Sequence, residues 1–158
     1  MKATSLNHVS ISAPDLDESV RFYQDLLGLQ EIPTPNFGFP VRWLRLGDLQ
    51  LHLFQRPGEA PTYHHVGLTV DDFDAVYLRA REMGILDSTT FGHHMYLLPN
   101  ENVQLYVRDP GGNLVEIDWP DAGSLAREVL DDLRPLPNPQ GEDNLRATLF
   151  LSPGAGAT

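Results

Sequence analysis

The chain has 158 residues, 41% of them apolar, with 11 Lys and Arg against 22 Asp and Glu, a formal net charge of −11 and no cysteine. That length suits one compact domain, or two small modules sharing a core. Without thiols there are no disulfides, zinc ribbons, iron–sulfur clusters or cysteine nucleophiles, so any metal must be held by imidazole and carboxylate. The acidic balance, with Lys2 the sole lysine and no basic run, argues against nucleic acid and anionic membranes as partners. No leader-like or membrane-length apolar run is present, which makes the cytoplasm the expected location.

The first pattern lies in LNHVSISAPDLDESVRFYQDLLGL. Val9, Ile11 and Ala13 alternate with His8, Ser10 and Ser12, the period of a half-buried strand. Pro14-Asp15 breaks it, Asp15 or Asp17 offers an N-cap, and Val20, Phe22, Tyr23, Leu26 and Leu27 recur at helical spacing up to Gly28. Strand-like runs follow over Val41–Leu46 and Leu49–Phe54, with the turn Gly47-Asp48 between them.

At Tyr63 the pattern restarts as YHHVGLTVDDFDAVYLRAREMGI. At a constant offset of 57 residues His8 meets His65, Val9 meets Val66, Ile11 meets Leu68, Asp15 meets Asp72 and Asp17 meets Asp74. Strand-like runs over Met95–Leu98, Val103–Val107 and Asn113–Trp119 complete this half, with DPGGN at 109–113 as a turn. Each half therefore reads β-α-β-β-β, predicting an α+β fold of two modules, 5–56 and 62–119, within one domain over 1–119. The extension 120–158 carries a predicted helix at Ser124–Leu133, the proline-rich RPLPNPQGED, a predicted edge strand RATLFL at 146–151 and a frayed end SPGAGAT.

Strand parity decides which side chains converge, because apolar residues should face the helices and the alternate set should face whatever the sheets enclose. Val66, Leu68 and Val70 share a face with His64, which sends His65 inward with Gly67 and Thr69. The same rule turns His8, Ser10 and Ser12 inward, then Gln50, His52 and Phe54, then Tyr106 and Glu116. His8, His52, His65 and Glu116 thus share one face as potential ligands or catalysts, and a carboxylate in mid-strand requires a partner. Histidines with a carboxylate and open positions suit Fe(II), Mn(II), Ni(II) or Zn(II). A lone strand histidine is more often structural than ligating, but three at repeated or converging positions are not independent accidents. His93 and His94 read as loop or rim residues, with His94 able to reach the pocket. DPGG is no phosphate cradle, because no helix follows it, and Asp15, Asp17, Asp72 and Asp74 read as helix caps.

The segments LNHVSISAPDLDESVRFYQDLLGL and YVRDPGGNLVEIDW resemble the vicinal oxygen chelate superfamily, which includes glyoxalase I, extradiol dioxygenases, fosfomycin-resistance transferases and bleomycin-binding proteins. The resemblance covers about residues 5–119 and not the tail. It implies paired βαβββ modules whose mixed sheets curl around a divalent metal held by His8, His65 and Glu116, and a small substrate chelated through two neighbouring oxygens. It places His52 where glyoxalase I carries a fourth ligand and extradiol dioxygenases an acid–base histidine, and it places Tyr106 where the latter carry a catalytic tyrosine. The expected reading is a metal-dependent enzyme leaning to ring-cleaving dioxygenase chemistry, with Fe(II) the first choice of ion, catalysis by His52 and Tyr106, and a homodimeric assembly. A glyoxalase-like isomerase or lyase and a metal-free drug-binding protein are the alternatives. A fosfomycin transferase would need a phosphonate-binding lysine, which Lys2 alone does not supply.

Overall fold

The computed structural model describes residues 2–149 and 151; SPGAGAT and Phe150 of the predicted edge strand lie outside the described residues. The chain divides into two compact units, residues 1–62 with the turn 109–113, and residues 63–108 with 114–158. No described helix is long and apolar enough to cross a membrane.

The first unit runs β1 (His8–Ser12), α1 (Leu16–Leu27), β2 (Gln30–Ile32), β3 (Val41–Leu46) and β4 (Leu49–Phe54). Its sheet has the order β1-β4-β3-β2, with β1 parallel to β4 and the other pairs antiparallel. Asp15 caps α1 by accepting from Glu18 N at 2.9 Å, and Gly28 ends it at φ 66°, a left-handed turn that favours glycine. The helix buries Leu16, Val20, Phe22, Tyr23 and Leu26, and the sheet buries Leu44, Leu51 and Leu53. Tyr23 is wholly buried, and its hydroxyl donates to Asp109 Oδ2 at 2.9 Å; Asp109 in turn accepts from Asn113. The DPGGN turn is thereby tied into this unit by a buried polar network.

The second unit repeats the plan with β5 (His65–Thr69), α2 (Phe73–Met83), β6 (Met95–Leu97), β7 (Val103–Arg108) and β8 (Leu114–Trp119). Its sheet has the order β5-β8-β7-β6-β9, where β9 is the short Arg134–Pro135. Asp72 caps α2 through Ala75 N at 2.9 Å. The core is Leu68, Phe73, Val76, Tyr77, Ala80, Met95, Val103, Leu105, Val115 and Ile117. Both βαβββ modules are therefore present as expected, and the structure adds the location of β2, a strand too short to show a period and not placed from the sequence.

The extension departs from expectation. In place of one helix over Ser124–Leu133 there is a 3-10 turn at Ala122–Ser124 and a short α3 (Arg127–Leu130). The interruption has a local cause: Ala126 is extended at ψ 148°, and its N–H donates to the Asp74 carboxylate at 3.0 Å, out of reach of a helical carbonyl. The predicted strand at 146–151 does not form among the described residues; Asn144–Arg146 is a 3-10 turn, and β9 occupies the sheet edge beside β6. Pro135 is tolerated there because an edge strand can lack one donor.

A part-buried ion pair anchors the turn after α2 in the second unit. Asp87, 4% exposed, accepts from Thr89 N at 2.8 Å, Thr90 Oγ1 at 2.5 Å and Arg108 Nε at 2.7 Å. Burial alone would raise its pKa, but the hydrogen bonds from Thr90 and Thr89 outweigh burial and hold it well below the usual carboxylate range. Asp87→Ala strips several charge-assisted hydrogen bonds and leaves Arg108, whose side chain is 27% exposed, without its Asp87 partner, so it should cost about 1.5–3 kcal/mol in urea unfolding at pH 7. A depressed folded-state pKa contributes stability above the unfolded value, near 4, and loses it as pH falls. The gap between wild type and Asp87→Ala should therefore narrow from pH 6 towards pH 2; a gap constant with pH would refute this assignment.

Candidate functional site

In the first unit the ladder pairs His8 with Gln50 and Ser10 with His52, so the side chains assigned inward by parity do share a face. The His52 ring is stacked between Trp43, 4.2 Å away at 6°, and His8, 4.4 Å away at 13°. His52 Nε2 lies 2.8 Å from Gln50 Oε1. An amide oxygen only accepts, so Nε2 carries the proton and Nδ1 keeps its lone pair. Burial first, and the neighbouring His8 second, lower the His52 pKa, which keeps the ring neutral at physiological pH. His8 Nδ1 faces the Asn7 side-chain oxygen, which by the same logic makes Nε2 the lone-pair nitrogen of the neutral ring. Phe37, Phe39 and Phe54 extend the aromatic face from Trp43, with Phe37 and Phe39 exposed.

In the second unit β5 and β8 run parallel with Gly67 opposite Glu116, and β7 sets Tyr106 opposite Glu116. His65 Nδ1 lies 2.8 Å from the Tyr63 carbonyl and donates there, which in the neutral ring leaves Nε2 as a lone pair; that atom faces Glu116 Oε2 at 3.5 Å. A lone pair set against a carboxylate oxygen is repulsive unless a cation or a proton stands between them. Backbone-anchored Nδ1 with a free Nε2 is also how metal-binding imidazoles are oriented. Gln104 Nε2 donates to Glu116 Oε1 at 2.7 Å, and the same amide accepts from the Tyr106 hydroxyl at 3.2 Å. Burial, then the Glu116 charge, pushes the Tyr106 pKa up, so the phenol stays protonated as a donor.

Two residues of this cluster are absent from the sequence-based set. Gln104 orients Glu116, and Asp118 lies beside it, buried, with Oδ1 lacking a hydrogen-bond partner among the described residues. A Cβ on Gly67 would stand 3.2 Å from Asp118 Oδ2 and 3.6 Å from Glu116 Oε1, so the glycine leaves room for two carboxylates. Burial first, and repulsion from Glu116 second, raise the Asp118 pKa. The same parity that selects Glu116 selects Asp118, two residues on. His93 and His94 turn instead to Asp132 of the extension.

Paired βαβββ modules with imidazole and carboxylate donors on their sheets define a class, and the sequence carries its signature over nearly the whole of both modules. Residues 5–117 match the Glyoxalase/Bleomycin resistance protein/Dioxygenase superfamily, and the chain belongs to that superfamily. Methylmalonyl-CoA epimerase, mitochondrial, of Mus musculus is 30% identical over 135 residues, spanning 74% of this chain and 74% of that one. Glyoxylase I 4 of Arabidopsis thaliana is 30% identical over 128 residues, spanning 72% and 70%. Among solved structures, Oxidase ChaP-H2 superposes with a TM-score of 0.60 at 27% identity, over 74% of this chain and 94% of that one.

Proposed function

We propose that the chain is a divalent-metal-dependent enzyme that chelates a small substrate through two neighbouring oxygens and catalyses proton transfer next to a carbonyl, as an isomerase or lyase. The observation that carries this is His65 Nε2, freed by the Tyr63 carbonyl and aimed at Glu116 Oε2 3.5 Å away. A second imidazole of the kind His8 presents on the first unit's sheet would complete a set that suits Zn(II), Ni(II), Mn(II) or Fe(II). A bound ion of this kind supplies Lewis acidity for an oxyanion that develops as the proton leaves. Gln104 holds one Glu116 oxygen and leaves the other to face His65. Neutral His52, with Nδ1 unprotonated, is the group we assign to proton transfer.

The ring-cleaving reading, the leading expectation from the sequence, becomes the second one, supported by the aromatic face of Phe37, Phe39 and Trp43 and by the likeness to an oxidase. It ranks behind because it asks both His52 and Tyr106 to act on substrate, and the Tyr106 hydroxyl is engaged with Gln104. The relatives named for epimerase and glyoxylase also favour proton transfer. Metal-loaded protein in D2O should place deuterium next to the carbonyl of a methylglyoxal–thiol adduct or a branched acyl thioester. Anaerobic Fe(II) loading followed by oxygen uptake with catechols, and no exchange with either carbonyl substrate, would reverse the order.

Among the described residues the edge strands are β1 and β2 in one sheet, β5 and β9 in the other. Unpaired edges invite pairing with a second copy. We therefore expect a homodimer, read as twice the chain mass in light scattering at micromolar concentration; a single-chain mass would count against it.

A further inference from the structure

The extension brings a second donor cluster together. His93 and His94 are adjacent in sequence, yet both rings reach the same residue, because they lie in the bend at 91–94 and not in the extended strand that begins at Met95. His94 Nε2 lies 2.6 Å from Asp132 Oδ2, and His93 Nε2 lies 2.7 Å from the Asp132 carbonyl and 3.9 Å from Oδ1. One donor atom from each of the three residues falls within 4.8 Å of the others. The imidazoles are largely shielded, 18% and 12% exposed, with Asp132 at 32%.

We infer that His93, His94 and Asp132 form a divalent-cation site of the zinc class, separate from His65 and Glu116, which clamps the C-terminal extension to the second module. Two imidazole nitrogens and one carboxylate oxygen, with a position left for water, are a three-ligand set that Zn(II) accepts, at about 2.0–2.2 Å per bond. Tetrahedral donors at that length stand roughly 3.4 Å apart, so the cluster needs only a small inward adjustment. The outer contacts are also in place. Ser88 Oγ is 2.8 Å from His94 Nδ1, and the Tyr77 hydroxyl donates to Asp132 Oδ2 at 2.8 Å. Outer partners of this kind fix ring orientation and support ligating carboxylates.

The proton balance closes within the cluster. Without a cation each Nε2–H donates to Asp132; on binding, each imidazole shifts its proton to Nδ1 and presents the Nε2 lone pair. For His94 the Ser88 hydroxyl then changes from donor to acceptor, which a rotatable O–H allows. Asp132 sits between α3 and β9, and β9 pairs with β6, so the ion would fasten a segment beyond the family match at 5–117 to α2 and β6. The inference does not depend on the proposed catalysis, since it shares no ligand with it.

The test uses full-length Glu116→Gln protein stripped with a chelator, then titrated with Zn(II) followed by desalting and metal analysis. It should retain one Zn(II) per chain, melt at a higher temperature with Zn(II), and show Zn(II)-dependent protection of the segment after Pro120 from proteolysis. Adding Asp132→Asn, which keeps an acceptor for Tyr77, should weaken Zn(II) binding at least a hundredfold and remove both effects. If Glu116→Gln folds poorly, wild type against Asp132→Asn should show two ions falling to one. Zn(II) uptake unaffected by Asp132→Asn and by His93→Ala, or no uptake in Glu116→Gln, would overturn the site and leave the cluster a hydrogen-bonded latch.

Discussion

Glu116→Gln should lose one bound metal ion per chain while keeping its fold. The amide is isosteric with the carboxylate and still offers an oxygen to Gln104 Nε2, which now bonds Glu116 Oε1 at 2.7 Å, so the β7–β8 ladder is undisturbed. What changes is charge: the free Nε2 of His65, 3.5 Å from Oε2, faces a neutral group that no longer draws a cation. Metal content and turnover should fall together, with circular dichroism unchanged. Gln104→Leu should act more mildly, lowering metal affinity about 10–100-fold, the usual scale for an outer partner of a ligand. Retention of every metal ion by Glu116→Gln would remove Glu116 from the site.

How much of this could be read from residues follows from how local each signal is. Both helices were legible because caps and apolar spacing are written within a dozen residues: Asp15 with Gly28, Asp72 with Gly84. The shared face of His8 with His52, and of His65 with Tyr106 and Glu116, was legible because a strand has only two faces. Asp118 obeys the same parity as Glu116, but its closeness to that carboxylate depends on the missing side chain of Gly67 on the neighbouring strand, which parity along one strand does not record. β2 has three residues and no measurable period. The failures in the extension have another cause. Whether Ser124–Leu133 stays helical depends on Asp74, some fifty residues earlier, taking the Ala126 N–H, and helical spacing carries no record of a distant acceptor. The pairing of His93 and His94 with Asp132 is equally non-local, and adjacent histidines on a strand would point apart; here both lie in the bend at 91–94, ahead of the strand.

His52→Ala should keep its metal and lose turnover by about a hundredfold to ten-thousandfold, the scale for removing a positioned general acid or base. The side chain's surroundings support this over the fourth-ligand role that the glyoxalase resemblance also allows. Its Nε2 is already bonded to Gln50 Oε1, and its ring is fixed between Trp43 and His8. A ring held this way presents one lone pair, at Nδ1, in a fixed direction, which suits taking a proton more than completing a metal shell. Burial and His8 lower its pKa, so the neutral, proton-accepting form should persist to a pH below the usual imidazole midpoint. The acid limb of kcat/KM in wild type should accordingly fall below about pH 6.5, the ordinary imidazole value, and should be missing from His52→Ala. Gln50→Leu frees Nε2 without removing the ring, and it should reduce kcat with metal content unchanged. Titrating metal into His52→Ala while following occupancy and turnover separates the two roles. Weakened occupancy with activity restored by excess metal would make His52 a ligand, and full activity without added metal would leave it a packing residue between two aromatic rings.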